Sequence, residues 1–212
     1  PYQPNRLIWG VGATTQAGLE KAGIRTFADL LRWDQADLTA RFGAMGHRLW
    51  YLARGQDRRR GSACTPVKSI SKETTFGEDT GNADILDGHI WRLAEQVSDR
   101  AKAKQKAGRV VTLKLKRANF SMITRRTALR ESTQMADMVY RTAKLLFDQV
   151  PHDAAYRLIG VGLSDLVPAG DSDLTYDLLD PDAAKRGQAE RAADAIRQKF
   201  GRDAIKKGRA LR

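Results

Sequence analysis

Trp9-Gly10-Val11-Gly12 sets two glycines one residue apart, just ahead of a stretch able to form a helix. A tight Gly-x-Gly turn beside a helix N-terminus exposes consecutive backbone N–H groups. Such a cluster holds an anion, most often phosphate. With no Cβ at Gly10 or Gly12, a phosphodiester can approach the backbone closely at Gly10, Val11 and Gly12. Leu19 and Gly23-Ile24 follow at the offsets of a helix-hairpin-helix. The plainer alternative is a helix-linking turn that binds nothing.

A second set of residues lies on alternating segments. In Arg109 to Arg117, Val111, Leu113 and Leu115 take one face and Thr112, Lys114 and Lys116 the other. Thr124 and Arg126 follow on the next strand, with Arg125 between them, and Arg157 opens the last one. Lys68, Ser69, Ser71 and Lys72 line the first. Hydroxyls, ammoniums and guanidiniums suit phosphate oxygens and carry little base information. A merely solvated face would mix signs. Between Arg109 and Glu131, however, Arg109, Lys114, Lys116, Arg117, Arg125, Arg126 and Arg130 face a single acid, Glu131.

Catalytic patterns are missing. There is no Ser/His/Asp or Cys/His set, no phosphate-binding lysine loop, and no pair of aspartates in an apolar strand to hold Mg²⁺. The acids of the 165–182 stretch lie in a loop containing glycine and proline, which would not fix two metal ions. His47, His89 and His152 are scattered without metal-ligand spacing. No cofactor or metal is therefore expected within the chain itself. Its 37 Lys and Arg against 25 Asp and Glu give a net charge of +12, which points to a polyanionic partner. A membrane surface is the competing partner. No apolar run reaches the ~20 residues of a span, no signal peptide opens the chain, and no amphipathic segment pairs Lys or Arg with exposed Trp or Phe. Cys64 is the only cysteine, which excludes an internal disulfide and fits a reducing cytoplasm.

Five segments emerge. Residues 1–60 read as short helices with Ser/Thr/Asp starts and Gly stops. Thr14 or Thr15 caps one that runs to Ala22, Thr26 caps Phe27 to Arg32, and Asp34 caps Gln35 to Phe42. Gly43 separates that helix from another near Gly46 to Arg54. Leu19, Ile24, Phe27, Leu30, Leu31, Leu38, Phe42, Leu49 and Leu52 would form their core. Residues 61–66 read as a linker, led by Arg58-Arg59-Arg60, which is either part of the linker or a phosphate contact as well. Residues 67–168 give strand 67–76, helix 84–106, strand 109–117, strand 121–130, a helix from Thr133 or Gln134 through Phe147, and strand 156–166. The class is α+β. The β-α-β-β-α-β order predicts a four-stranded antiparallel sheet with both helices on one face. Residues 169–181 are an acidic linker, and 182–212 a basic helical tail.

The motifs Ile8-Trp9-Gly10-Val11-Gly12, Gly23-Ile24-Arg25-Thr26, Arg41-Phe42-Gly43 and Leu52-Ala53-Arg54-Gly55-Gln56-Asp57 resemble the thumb of bacterial Y-family translesion DNA polymerases. Lys68-Ser69-Ile70-Ser71-Lys72-Glu73-Thr74-Thr75-Phe76 resembles the start of that family's little finger domain. Val111 to Lys116 and Tyr156 to Gly162 resemble its second and last strands. The resemblance runs in order from about Arg6 to Val167. It implies a thumb that holds the primer-template minor groove and a little finger that lies across the major groove. The family's palm and fingers, with the catalytic carboxylates, precede the thumb, and the chain begins where the palm would end. The resemblance thus implies a fragment inactive alone, whose parent is a Mg²⁺-dependent, low-fidelity DNA-directed DNA polymerase of the cytoplasm, acting in DNA damage repair. Its partner would be DNA, bound without sequence preference by a monomer. The alternative is a non-catalytic DNA-binding or adaptor relative.

The family also carries a short peptide that docks on the sliding clamp. Thr175-Tyr176-Asp177-Leu178-Leu179 resembles it, with Tyr176, Leu178 and Leu179 as the docking residues and Thr175 departing from the usual Gln. Otherwise Leu178 and Leu179 pack onto their own domain or onto the following helix.

Overall fold

The computed structural model describes residues 3–57, 66–151, 154–170, 172, 182–201 and 204–208. Arg58, Arg59 and Arg60, and the expected clamp-docking residues Tyr176, Leu178 and Leu179, lie outside the described residues. The chain forms two compact units, Pro1–Thr65 and Pro66–Arg212.

In the first unit a 3-10 turn, Asn5–Leu7, precedes α1 (Ala13–Lys21), α2 (Phe27–Leu31) and α3 (Gln35–Ala53). Gly12, not Thr14 or Thr15, occupies the N-cap of α1, and no side chain caps it. Thr26 begins α2 through a reciprocal capping box with Asp29. The Arg25 backbone N–H, then the Thr26 hydroxyl and the Thr26 backbone N–H, donate to the Asp29 carboxylate and hold its pKa below the usual carboxylate range. The expected break at Gly43 is a bend within α3, where φ is +59° and ψ −143°. The bend brings the second half of α3 against the first. A Cβ at Gly46 would lie 1.7 Å from the Leu38 carbonyl oxygen, so only glycine fits. Ile8, Leu19, Ile24, Leu30, Leu38 and Leu49 are buried together. Leu31, expected inside, is 42 % exposed.

The second unit runs β1 (Ser69–Thr80), α4 (Ala83–Ala103), β2 (Lys106–Arg117), β3 (Met122–Thr133), α5 (Ala136–Asp148), β4 (Tyr156–Pro168) and α6 (Ala183–Phe200). The sheet order is β1-β4-β2-β3, and every pair is antiparallel. The α+β class and the four-stranded antiparallel sheet are as expected. β1 runs on past 76 to Thr80, because Thr80 pairs with Tyr156 beyond an irregularity. Val111, Leu113 and Leu115 of β2 and Ile159, Val161 and Leu163 of β4 form one core with α4 and α5. Asn82 caps α4, its side chain accepting from the backbone N–H groups of Asp84 and Ile85. Near the start of α4, Ile85 is 41 % exposed, and Leu86 is inside.

α5 starts at Ala136, and its N-cap residue Met135 has no capping side chain. Its first amides are met from far along the chain. Glu190 of α6 accepts from Ala136 N at 2.8 Å and Asp137 N at 3.1 Å. The same carboxylate meets Lys102 of α4 at 2.6 Å, and Lys102 also reaches Asp194 at 2.6 Å. Arg186 pairs with Asp137 and Arg197 with Glu95, both at 2.8 Å. Glu190 is only 4 % exposed, so α6 is pinned to the two helices by a buried charge. Burial opposes the Lys102 charge, but Glu190 and Asp194 outweigh it and raise its pKa above the ordinary lysine value. A raised folded-state pKa stabilises below the unfolded value of about 10.4 and is lost as pH climbs through the folded one. The latch thus holds across neutral pH and loosens in alkali. Glu190→Ala should lower unfolding free energy by about 2–4 kcal/mol, since it strips two helix amides and a half-buried cation of their partner. Urea titration checks this, and an unchanged midpoint would show that α6 contributes nothing.

Candidate nucleic-acid interface

In the first unit Gly10 adopts φ +97°, which turns the chain sharply after Trp9. A Cβ there would lie 3.2 Å from Arg48 Nη1. Arg48 donates to the Trp9 carbonyl at 3.1 Å, and its guanidinium lies 5.1 Å from the Trp9 ring. A Cβ at Gly12 would meet nothing within 4 Å. Internal packing therefore gives no reason for glycine at 12, whereas an external group brought close to the backbone would. Gly10, Val11 and Gly12 thus form one turn leading into the uncapped N-terminus of α1, with a cation beside it. Sequence patterns pointed to the turn but not to Arg48, which comes from α3.

In the second unit the register fixes which side chains share the face away from α4 and α5. Across β1, β4, β2 and β3, one row reads Ser71, Gly162, Thr112, Arg126, and the next Glu73, Gly160, Lys114, Thr124. A third reads Thr75, Leu158, Lys116, Met122, and Ser69 pairs with Ser164 at the opposite end. The structure therefore brings Ser69, Ser71, Thr112, Lys114, Lys116, Thr124 and Arg126 to one face. A β-bulge between β4 and β2 places Arg157 near them, 3.6 Å from Asp79. Gly160 and Gly162 leave a shallow groove of about 300 Å³ between Ser71 and Glu73 on one side and Thr112 and Lys114 on the other.

Three expected residues do not join this face. Arg125 pairs with Leu113 and Lys72 with Val161, so the two-residue alternation turns both to the helix side. Lys68 is exposed but precedes β1. The face is also less uniformly basic than expected. Glu73 stands on it and pairs with Lys114 at 2.5 Å. Its alternation with Ser71 and Thr75 was visible in the sequence, but only the β1–β4–β2 pairing sets it opposite Lys114. A Cβ at Gly160 would lie 2.7 Å from Glu73 Cγ, so the glutamate stem lies over the groove.

Residues 67–176 match the impB/mucB/samB family C-terminal domain. The chain belongs to this family. Among curated relatives, DNA polymerase IV of Brucella melitensis is 42 % identical over 97 % of this chain and 46 % of its own length. DNA polymerase IV of Caulobacter vibrioides is 39 % identical over 99 % of this chain and 52 % of its own. That of Listeria monocytogenes is 34 % identical over 78 % of this chain and 47 % of its own. The chain thus spans about half the length of the curated relatives it matches. A solved Y-family DNA polymerase chimera shares the fold, with a TM-score of 0.61 at 17 % identity over 76 % of this chain and 46 % of that one.

Among the described residues no group of three or more His, Cys, Asp or Glu could hold a metal ion. No described helix is long and apolar enough to cross a membrane.

Glu73→Gln should free Lys114 for phosphate. Duplex affinity should rise several-fold, and the log–log salt slope should steepen by about 0.9 for one added phosphate contact. A variant that binds no tighter, measured by fluorescence anisotropy across a salt series, would show that Lys114 does not reach DNA.

Proposed function

We propose that the chain grips primer-template DNA for a Y-family translesion polymerase, the hairpin of the first unit and the open sheet of the second each holding phosphates. The observation that carries this is the face made by Ser71, Thr112, Lys114, Thr124 and Arg126, with the groove at Gly160 and Gly162 between the strands. Hydroxyl and cationic groups there match phosphate oxygens without reading bases. The glycine groove lets a sugar-phosphate chain come near the sheet. The amides after Gly12 would hold a second phosphate group at the hairpin, whereas the Val11 N–H is already donated to the Ile8 carbonyl at 3.0 Å.

The relatives named DNA polymerase IV support a DNA-directed DNA polymerase as the whole protein; that it works in the cytoplasm on damaged templates with Mg²⁺ is part of the same proposal. The part proposed for this chain is to bind and orient DNA. Docking of Tyr176, Leu178 and Leu179 on a sliding clamp belongs to the same proposal.

Lys114→Glu combined with Arg126→Glu should weaken binding to unrelated duplexes alike and flatten the salt dependence, while the domain stays folded and its thermal midpoint falls only by the few degrees that losing the Glu73 pair costs. Leu113→Ala should do the opposite, lowering stability by about 2–4 kcal/mol and sparing the affinity of folded protein. Salt-independent binding, or strong preference for one duplex sequence, would refute the phosphate grip.

A further inference from the structure

The β2–β3 hairpin carries a residue that its own turn disfavours. Arg117 and Ser121 close the loop through Arg117 N to Ser121 O at 2.9 Å, and Phe120 N donates to Arg117 O at 2.9 Å. Asn119 accepts from Ser121 N at 3.0 Å. Three loop residues remain, and the last of them, Phe120, sits at φ +66°. Glycine is the ordinary occupant of that position, because a Cβ crowds the left-handed backbone.

Packing does not repay this strain. Phe120 is 63 % exposed and belongs to neither core. Its ring is instead flanked by two cations, with the Arg157 guanidinium 4.3 Å and Lys116 Nζ 4.8 Å from the ring centroid. Met122, cross-strand from Lys116, is 50 % exposed. One end of the phosphate-suited face therefore finishes in an aromatic and thioether corner held between positive charges.

A duplex backbone offers that corner only sugar and phosphate. An unpaired nucleotide offers a base π-face together with a phosphate, and exposed aromatics among cations are how single strands are held without sequence preference. We propose that Phe120 is a stacking platform for an unpaired base of single-stranded DNA continuing from the duplex on the open sheet, with Lys116 and Arg157 taking its phosphate. This rests on the DNA-gripping reading above and adds a distinct site and ligand to it.

The test uses the full chain and two probes, a blunt duplex and the same duplex with a 5′ single-stranded overhang bearing 2-aminopurine. Wild type should bind the overhang probe more tightly and quench the 2-aminopurine. Phe120→Gly should relieve the turn and raise the melting temperature, yet bind the overhang probe about 5- to 100-fold more weakly. It should lose the quenching and stay within about two-fold of wild type on the blunt duplex, that narrow margin being set by the phosphate contacts it keeps. Phe120→Trp should retain overhang binding, and Phe120→Leu, apolar without a π-face, should not. Equal losses on both probes would mean that the ring only props up Lys116 and Arg157, and would overturn the proposal. So would unchanged overhang binding. If wild type bound neither probe, the DNA-gripping reading itself would fall, and this one with it.

Discussion

Two helices can cover only one side of a four-stranded sheet, and here α4 and α5 cover the side bearing Val111, Leu113, Leu115, Ile159, Val161 and Leu163. Everything proposed for the second unit depends on that burial. Because side chains alternate at every residue, hiding the apolar set commits Thr112, Lys114 and Lys116 to the opposite side. A one-residue slip in β2 would exchange its faces and bury Lys114 and Lys116 in the core. Burial therefore enforces the register, and the register in turn assembles the polar rows.

A second constraint holds the covering helices. α5 has no cap of its own, and Glu190 supplies one from more than fifty residues later while neutralising Lys102. The helix that follows the acidic stretch is thereby fastened to the side of the sheet away from the phosphate-suited face. The two sides have different chemistry: one is a network of paired charges closed on itself, the other is open, glycine-floored and hydroxyl-rich.

Much of this was legible in the sequence. The clean alternation of β2 gave the faces of that strand, and Thr26 as a capping residue gave the start of α2 through local chemistry alone. What was missed depended on partners distant in sequence. Arg125 and Lys72 carry the right charge, but strand pairing with Leu113 and Val161 turns them to the helix side. Glu73 is one residue in a polar strand until pairing sets it beside Lys114. Arg48 reaches the Trp9 turn from another helix, and Phe120 becomes conspicuous only when its backbone angle and exposure are known. Thr14 and Thr15 are good caps by type, but Gly12 already provides the extended residue that starts α1.

The most direct measurement is an NMR titration of the ¹⁵N-labelled full chain with a short duplex at low and high salt. The expected result is salt-sensitive shift perturbation in β1, β2, β3 and β4 concentrated at Ser71, Thr112, Lys114, Thr124, Arg126, Gly160 and Gly162, with α4 and α5 unmoved. Perturbation centred instead on α4, α5 and α6, with those strand residues unmoved, would contradict the assignment of the open sheet as the surface that meets DNA.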